Sequence, residues 1–162
     1  MKKLLIIRSV SFQQLDKNII TIQEKYKDYN INLLTHEHGV KLAEKYKMID
    51  KIHIYPYKGS FKFKNKVKEL ADEEFDLVII PVTNITGAGF LNVLLYSLTL
   101  KTKKRVICNV VSDFKEISKT KIMLMGLQNI AMSFLSFILT GIFSIFIILF
   151  MPFKLKSLRE ED

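Results

Sequence analysis

The chain has 162 residues, a formal net charge of +9 and a single cysteine, with 49% of its residues hydrophobic. That length suits one domain with little left over for a second, and one cysteine excludes an internal disulfide. The charge directs attention to polyanions, but there is neither zinc-ligand spacing nor an RNP-like aromatic pair, so nucleic acid is not an expected partner.

The first apolar run, Leu4 to Ile7, has the pattern of a strand buried on both faces of a parallel sheet. Arg8 interrupts it before it reaches the length of a signal-peptide core, so the soluble part is expected to stay in the cytoplasm. A helix is predicted over residues 12–27, where Leu15, Ile19, Ile22 and Tyr26 recur at helical spacing. A second strand over 30–35, a helix over 37–47 and a third strand over 51–55 follow, the last stopped by Pro56. A helix over 62–74 leads into residues 76–82 (DLVIIPV), the clearest strand. A strongly apolar helix over 90–100 and a fifth strand over 105–111 complete the series. Such alternation implies βαβ units and a Rossmann-like α/β domain with a parallel sheet of about five strands. The helix over 90–100 is apolar nearly all round, which expects it to face a second domain, another subunit or the bilayer. Cys108 in its apolar run fits a reducing compartment.

From Ile122 to Phe153 there is no charged residue and no histidine. A bilayer core of about 30 Å needs roughly 20 apolar residues in a helix, and too little protein remains to wrap a helix apolar on every face. The chain therefore divides into a domain (1–112), a polar link (113–121), a membrane helix (122–153) and a charged tail (154–162). Basic residues flank the apolar stretch on both sides, so the positive-inside rule selects neither orientation. A single span is the favoured reading over a hairpin turning near Thr140-Gly141. Ser133, Ser136, Thr140 and Ser144 recur at helical spacing beside Gly141, a stripe that would let another helix approach, in a homo-oligomer or with a partner, or that reflects ordinary tolerance of small residues.

In open α/β sheets ligands sit beyond the carboxyl ends of the strands. Thr83 to Phe90 (TNITGAGF) follows the best strand and opens a helix. Its backbone amides could face a phosphate or carboxylate there, or it is a tight turn with Thr86 as N-cap. His36, Glu37 and His38 stand at the mouth of the second strand without an evident third metal ligand, so no metal site is expected. His53 reads as a strand residue satisfied by its neighbours. The segment Tyr57 to Lys68 interleaves lysines with aromatic residues. It is either a solvated helix face or a basic loop in which Lys58, Phe61, Lys62, Phe63, Lys64 and Lys66 meet an anionic leaflet. Lys101, Lys103, Lys104 and Arg105 form a second basic run at the opposite end of the sheet. No serine stands in a nucleophile-elbow pattern, and no catalytic residue is assigned.

The stretches LLIIRSVSFQQL and NINLLTHEHGVKLAEKYKMIDKIHIYP, with the later EEFDLVIIPVTNITGAGF, together resemble the N-terminal half of heptosyltransferase-type enzymes of glycosyltransferase family 9. The resemblance covers roughly residues 1–112 and implies one half of a GT-B fold. Two departures stand out. The family's first loop ends in Gly-Asp, whose Asp acts as base; here Gln13-Gln14 takes that place, and glutamine cannot accept a proton from a sugar hydroxyl near neutral pH. The C-terminal domain that binds the nucleotide-sugar is replaced by a membrane helix.

The expectation is a glycosyltransferase-like half-domain, single-pass in the inner membrane, acting in lipid-linked glycan synthesis (lipopolysaccharide, capsule or glycolipid). Its expected partners are membrane lipid, a lipid-linked acceptor and a donor-binding protein, with any nucleotide-sugar entering through that partner and no cofactor of its own. Ligand contacts are expected from Ser9, Ser11, Gln13, Gln14 and His36, and from Thr83, Asn84, Thr86 and Gly87. The alternative is a non-catalytic membrane scaffold that recruits proteins through its anchor and its exposed apolar helix.

Overall fold

The structure, a computed structural model, describes residues 2–85, 87 and 89–159, with side chains described as far as residue 152. Two compact units emerge, Met1–Met123 and Leu124–Asp162. The first is a mixed α/β unit built on a six-stranded, mostly parallel sheet.

The strands are β1 (Lys2–Ile7), β2 (Tyr29–His36), β3 (Ile49–Tyr55), β4 (Glu74–Pro81), β5 (Lys101–Cys108) and β6 (Phe114–Glu116), in the spatial order β3-β2-β1-β4-β5-β6. All neighbours run parallel except β6, which pairs antiparallel with β5. The continuous apolar runs are explained by cover on both faces. Leu4, Ile6, Leu33, Leu77, Ile79 and Val106 form one core with Leu15, Ile19 and Ile22 of α1 (Phe12–Lys25). On the other face Leu5, Ile7, Val78 and Ile80 are fully buried, and α4 (Leu91–Ser97) packs against β4.

α4 turns Val93, Leu94, Tyr96 and Ser97 into its own domain. The apolar helix expected to seek an external partner finds packing for these residues within its own unit. Buried Arg105 of β5 closes its C-terminal end, donating to the carbonyls of Ser97 (3.0 Å) and Leu100 (3.0 Å), so this member of the second basic run is a core residue.

Three expected elements differ. The helix predicted over 37–47 is a 3-10 turn (Glu37–Gly39) followed by the single turn α2 (Val40–Ala43). The helix predicted over 62–74 shrinks to α3 (Lys68–Ala71). The backbone before it is captured instead: Lys62 N donates to the Tyr55 hydroxyl at 3.1 Å, and the Tyr57 hydroxyl donates to the Lys66 carbonyl at 3.1 Å. With its polar groups satisfied this way, the segment has no need of helical hydrogen bonds. Third, the expected link holds β6. Asn109 ends β5 and its carboxamide oxygen accepts the amides of Val111 (3.1 Å) and Asp113 (2.9 Å), while Ser112 adopts a φ of 60°. That turn sends the chain back along β5.

The second unit comprises most of α5 (Lys119–Arg159), a helix that runs without a break through Thr140 and Gly141, where a hairpin would have to turn. Its first turns belong to the sheet unit and bury Ile122. From Leu127 to Pro152 every side chain is exposed. An apolar helix with no protein cover has lipid as its matching solvent. Among the described residues it is one helix long and apolar enough to span a membrane.

Candidate functional site

The strand order reverses between β1 and β4, and at the carboxyl ends of the strands beside that reversal lies a cleft of about 510 Å³. It is lined from the β1–α1 loop by Arg8, Ser9 and Ser11, from the end of β2 by His36, from the 3-10 turn after it by His38, from the loop after β3 by Gly59 to Phe61, and from the start of α4 by Phe90 and Asn92.

Arg8 is the first residue past the apolar strand, and its backbone still bonds to the Leu34 carbonyl of β2 at 2.9 Å. Its guanidinium is held on three sides. Nε donates to Thr35 Oγ1 (2.7 Å), Nη1 donates to the Val10 carbonyl (3.1 Å), and the plane lies 4.6 Å from the Phe12 ring centre. Burial pushes its pKa down, yet a guanidinium remains charged at any physiological pH. Among the described residues no carboxylate forms an ion pair with it. Gly39 permits this arrangement: a Cβ there would collide with Thr35 Oγ1 and crowd Arg8 and Phe12.

His36 donates from Nε2 to the Gly59 carbonyl at 2.7 Å, so that nitrogen carries the proton. The ring stacks on His38 (5.5 Å between centres) and meets Tyr55 and Phe61 at 5.1 and 5.0 Å. Burial, with nearby Arg8 and His38, holds its pKa below the usual histidine value, against the opposing effect of the Gly59 hydrogen bond. The cleft thus combines one fixed cation and two imidazoles with no carboxylate among its lining residues. This composition favours an anionic group.

The expected site residues separate into two groups. Ser9, Ser11 and His36 line the cleft. The Ser9 hydroxyl donates to the Pro81 carbonyl and so ties β1 to β4, while the Ser11 hydroxyl caps α1 by accepting Gln14 N at 3.3 Å. The other residues lie elsewhere. Gln13 is exposed and does not line the cleft. Gln14 reaches away from it, donating to Asn18 Oδ1 (3.1 Å) and to the Val110 carbonyl (3.2 Å). Asp16 accepts from the Tyr46 hydroxyl (2.6 Å) and pairs with Lys45 (2.9 Å), contacts that hold its carboxyl below the usual range. Thr83 is exposed outside the cleft, Asn84 accepts the Gly87 amide at 2.6 Å, and Gly87, at a φ of 79°, is buried against Ile107. That amide is therefore occupied within its own turn. Thr86 lies outside the described residues.

The basic loop is split as well. Lys58, Lys62, Lys64, Lys66 and Phe63 are exposed, but Phe61 is 3% exposed, packed on Tyr55 (4.6 Å) and Tyr96 (5.2 Å). Phe61 is a core residue and not part of a surface. His53 is also buried, but neither ring nitrogen has a hydrogen-bond partner among the described residues; it is not satisfied by its neighbours as expected.

Arg8 and Asn92 were not anticipated, and His38, singled out beside His36 at the mouth of the second strand, was not expected as a ligand contact. A usable signal for Arg8 existed: a cation directly after an all-apolar strand marks the point where that strand reaches the carboxyl edge. No protein-family model matches the chain, and neither the curated proteins nor the solved structures contain a match.

Proposed function

We propose that this chain is a membrane-anchored, glycosyltransferase-like protein that holds a phosphate-bearing ligand in the cleft between β1, β2 and α4, in the assembly of a lipid-linked glycan. The observation that carries the reading is the cleft itself: Arg8, His36 and His38 converge with no carboxylate among the residues that line it, on a chain that also bears a helix able to span a membrane. The parallel run β3-β2-β1-β4-β5, with its reversal at β1, supports a Rossmann-like half-domain, in which ligands bind at that switch point.

In this reading the cleft residues bind and orient the ligand. Arg8 offers the guanidinium edge not used by Thr35 and Val10, and His36, protonated on Nε2 and anchored to Gly59, presents its imidazole wall. A partner protein supplies the base and the donor site, and the anchor keeps this half on the cytoplasmic face, where its effective concentration for a lipid-linked acceptor is raised.

The test uses the full chain in nanodiscs of neutral lipid, titrated with inorganic phosphate, and then assayed for sugar transfer to a lipid-linked acceptor. Phosphate binding that is lost in Arg8→Gln, with turnover only when a donor-binding partner is added, is the expected result. Absence of phosphate binding by the folded protein overturns the reading, and turnover by the chain alone overturns the division of labour.

A further inference from the structure

A second depression, about 470 Å³, adjoins the cleft and shares His36, His38 and Gly59 with it. The hydrogen bond from His36 to the Gly59 carbonyl forms the ridge between them. Beyond the ridge the lining changes character: Glu37 offers a carboxylate, Tyr57 a half-exposed ring and Lys58 an ammonium group. The Tyr57 ring is held in place because its hydroxyl donates to the Lys66 carbonyl at 3.1 Å.

The lysines of this loop also differ from those at the other end of the sheet. Lys3, Lys51, Lys101, Lys103 and Lys104 each lie within 4 Å of a carboxylate: Glu73 for the first two, then Asp72, Asp76 and Glu116. Among the described residues Lys58, Lys62, Lys64 and Lys66 have no such partner. Unpaired lysines occur elsewhere on the domain as well, but here four of them fall between residues 58 and 66, on the loop whose own backbone walls both depressions.

The geometry points to the depression bounded by Glu37, Tyr57 and Lys58 as a saccharide subsite, one that takes the sugar part of a phosphorylated saccharide whose phosphate occupies the neighbouring cleft. An aromatic face beside a carboxylate and an ammonium group matches a sugar ring, which has one apolar face and a rim of hydroxyls that both donate and accept. Lys62, Lys64 and Lys66 then attract further anionic groups on the same ligand. A membrane surface fits the loop less well. Phe61 is buried, so of the loop's two phenylalanines only Phe63 is free to enter lipid, and Lys58 lines a concavity rather than a flat face.

This inference rests on the phosphate reading of the cleft, and the experiment separates the two. The full chain in neutral-lipid nanodiscs is titrated by calorimetry with inorganic phosphate, a hexose 1-phosphate and a hexose 1,6-bisphosphate. The hexose phosphate should bind at least about tenfold more tightly than phosphate, a difference of one modest contact set. Tyr57→Ala and Lys58→Gln should remove that gain while leaving phosphate affinity unchanged. Lys58 is exposed and carries no ion pair, so its substitution leaves folding intact even if Tyr57→Ala does not. Phosphate binding with no gain from the sugar, or a gain untouched by Lys58→Gln, overturns the subsite alone. No binding of any probe overturns the cleft reading with it. If Lys58→Gln changes only association of the domain with anionic nanodiscs, the loop is a lipid-binding element and the subsite is refuted.

Discussion

His53 is an imidazole sealed in the core beside Phe75, with two ring nitrogens that find no hydrogen-bond partner among the described residues. Leaving a buried polar group unpaired costs about 1–3 kcal/mol, whereas an apolar side chain of similar size carries no such penalty. His53→Leu should therefore stabilise the fold by about 1–2 kcal/mol at pH 8, the lower part of that range because leucine fits less well against the Phe75 ring. The effect should grow on acidification. Burial, and then Lys51, hold the folded-state pKa of His53 below its ordinary value, against opposing contributions from Glu73 and Glu69. The unfolded chain consequently takes up its proton first as the pH falls. The wild-type protein keeps this stability above about pH 6.5 and loses it below, by at most about 1.4 kcal/mol per pH unit. His36 titrates in the same sense, but it is present in both proteins and cancels in the difference. The assay is urea unfolding of the detergent-solubilised full chain, followed by circular dichroism from pH 8 to pH 5.5. A leucine variant less stable than wild type at pH 8, or a stability difference flat with pH, would refute the reasoning.

The two phenylalanines of the basic loop should behave oppositely. Phe61→Ala empties a site between Tyr55 and Tyr96 and should cost about 3–5 kcal/mol, while Phe63→Ala, at a position 55% exposed, should stay within about 0.5 kcal/mol of wild type in the same unfolding assay. Asn18 donates to the Asn109 carbonyl (2.9 Å), the Ser112 hydroxyl (3.0 Å) and Cys108 Sγ (3.2 Å). Asn18→Ala strands these acceptors and should cost about 2–4 kcal/mol, with hydrogen exchange rising first in β6. Gly39→Ala forces the turn away from Thr35 and Arg8; it should destabilise by about 1–3 kcal/mol and weaken phosphate binding, which calorimetry reads directly.

Legibility in the sequence followed the source of each element's stability. Leu4–Ile7 and Leu77–Ile80 draw theirs from burial on both faces, which a run of apolar residues displays openly. β6 is three residues, Phe114, Lys115 and Glu116, with no apolar pattern; it exists because Asn109 turns the chain and Asn18 holds that turn from a helix some ninety residues earlier. The helix expected over 62–74 stops short because the Tyr55 hydroxyl accepts the Lys62 amide and the Tyr57 hydroxyl bonds the Lys66 carbonyl, contacts from outside the segment that its own pattern does not show. The cleft followed the same division. Ser9, Ser11 and His36 could be placed from strand ends, whereas Gln14 was drawn to the β5–β6 turn by a contact that no local pattern encodes.

The unbroken run of exposed side chains in α5 also sets a requirement on the surrounding bilayer. Its stretch after the polar Gln128 and Asn129, Ile130 to Met151, comprises 22 residues, a rod of about 33 Å at 1.5 Å per residue. A hydrocarbon layer of about 30 Å accommodates such a rod if it leans by about 25°, within the range that spanning helices adopt, or if the lipid thickens around it. A thick bilayer relieves that mismatch and a thin one aggravates it, so acyl-chain length becomes a variable that governs how firmly the protein is retained and how far its rod must lean.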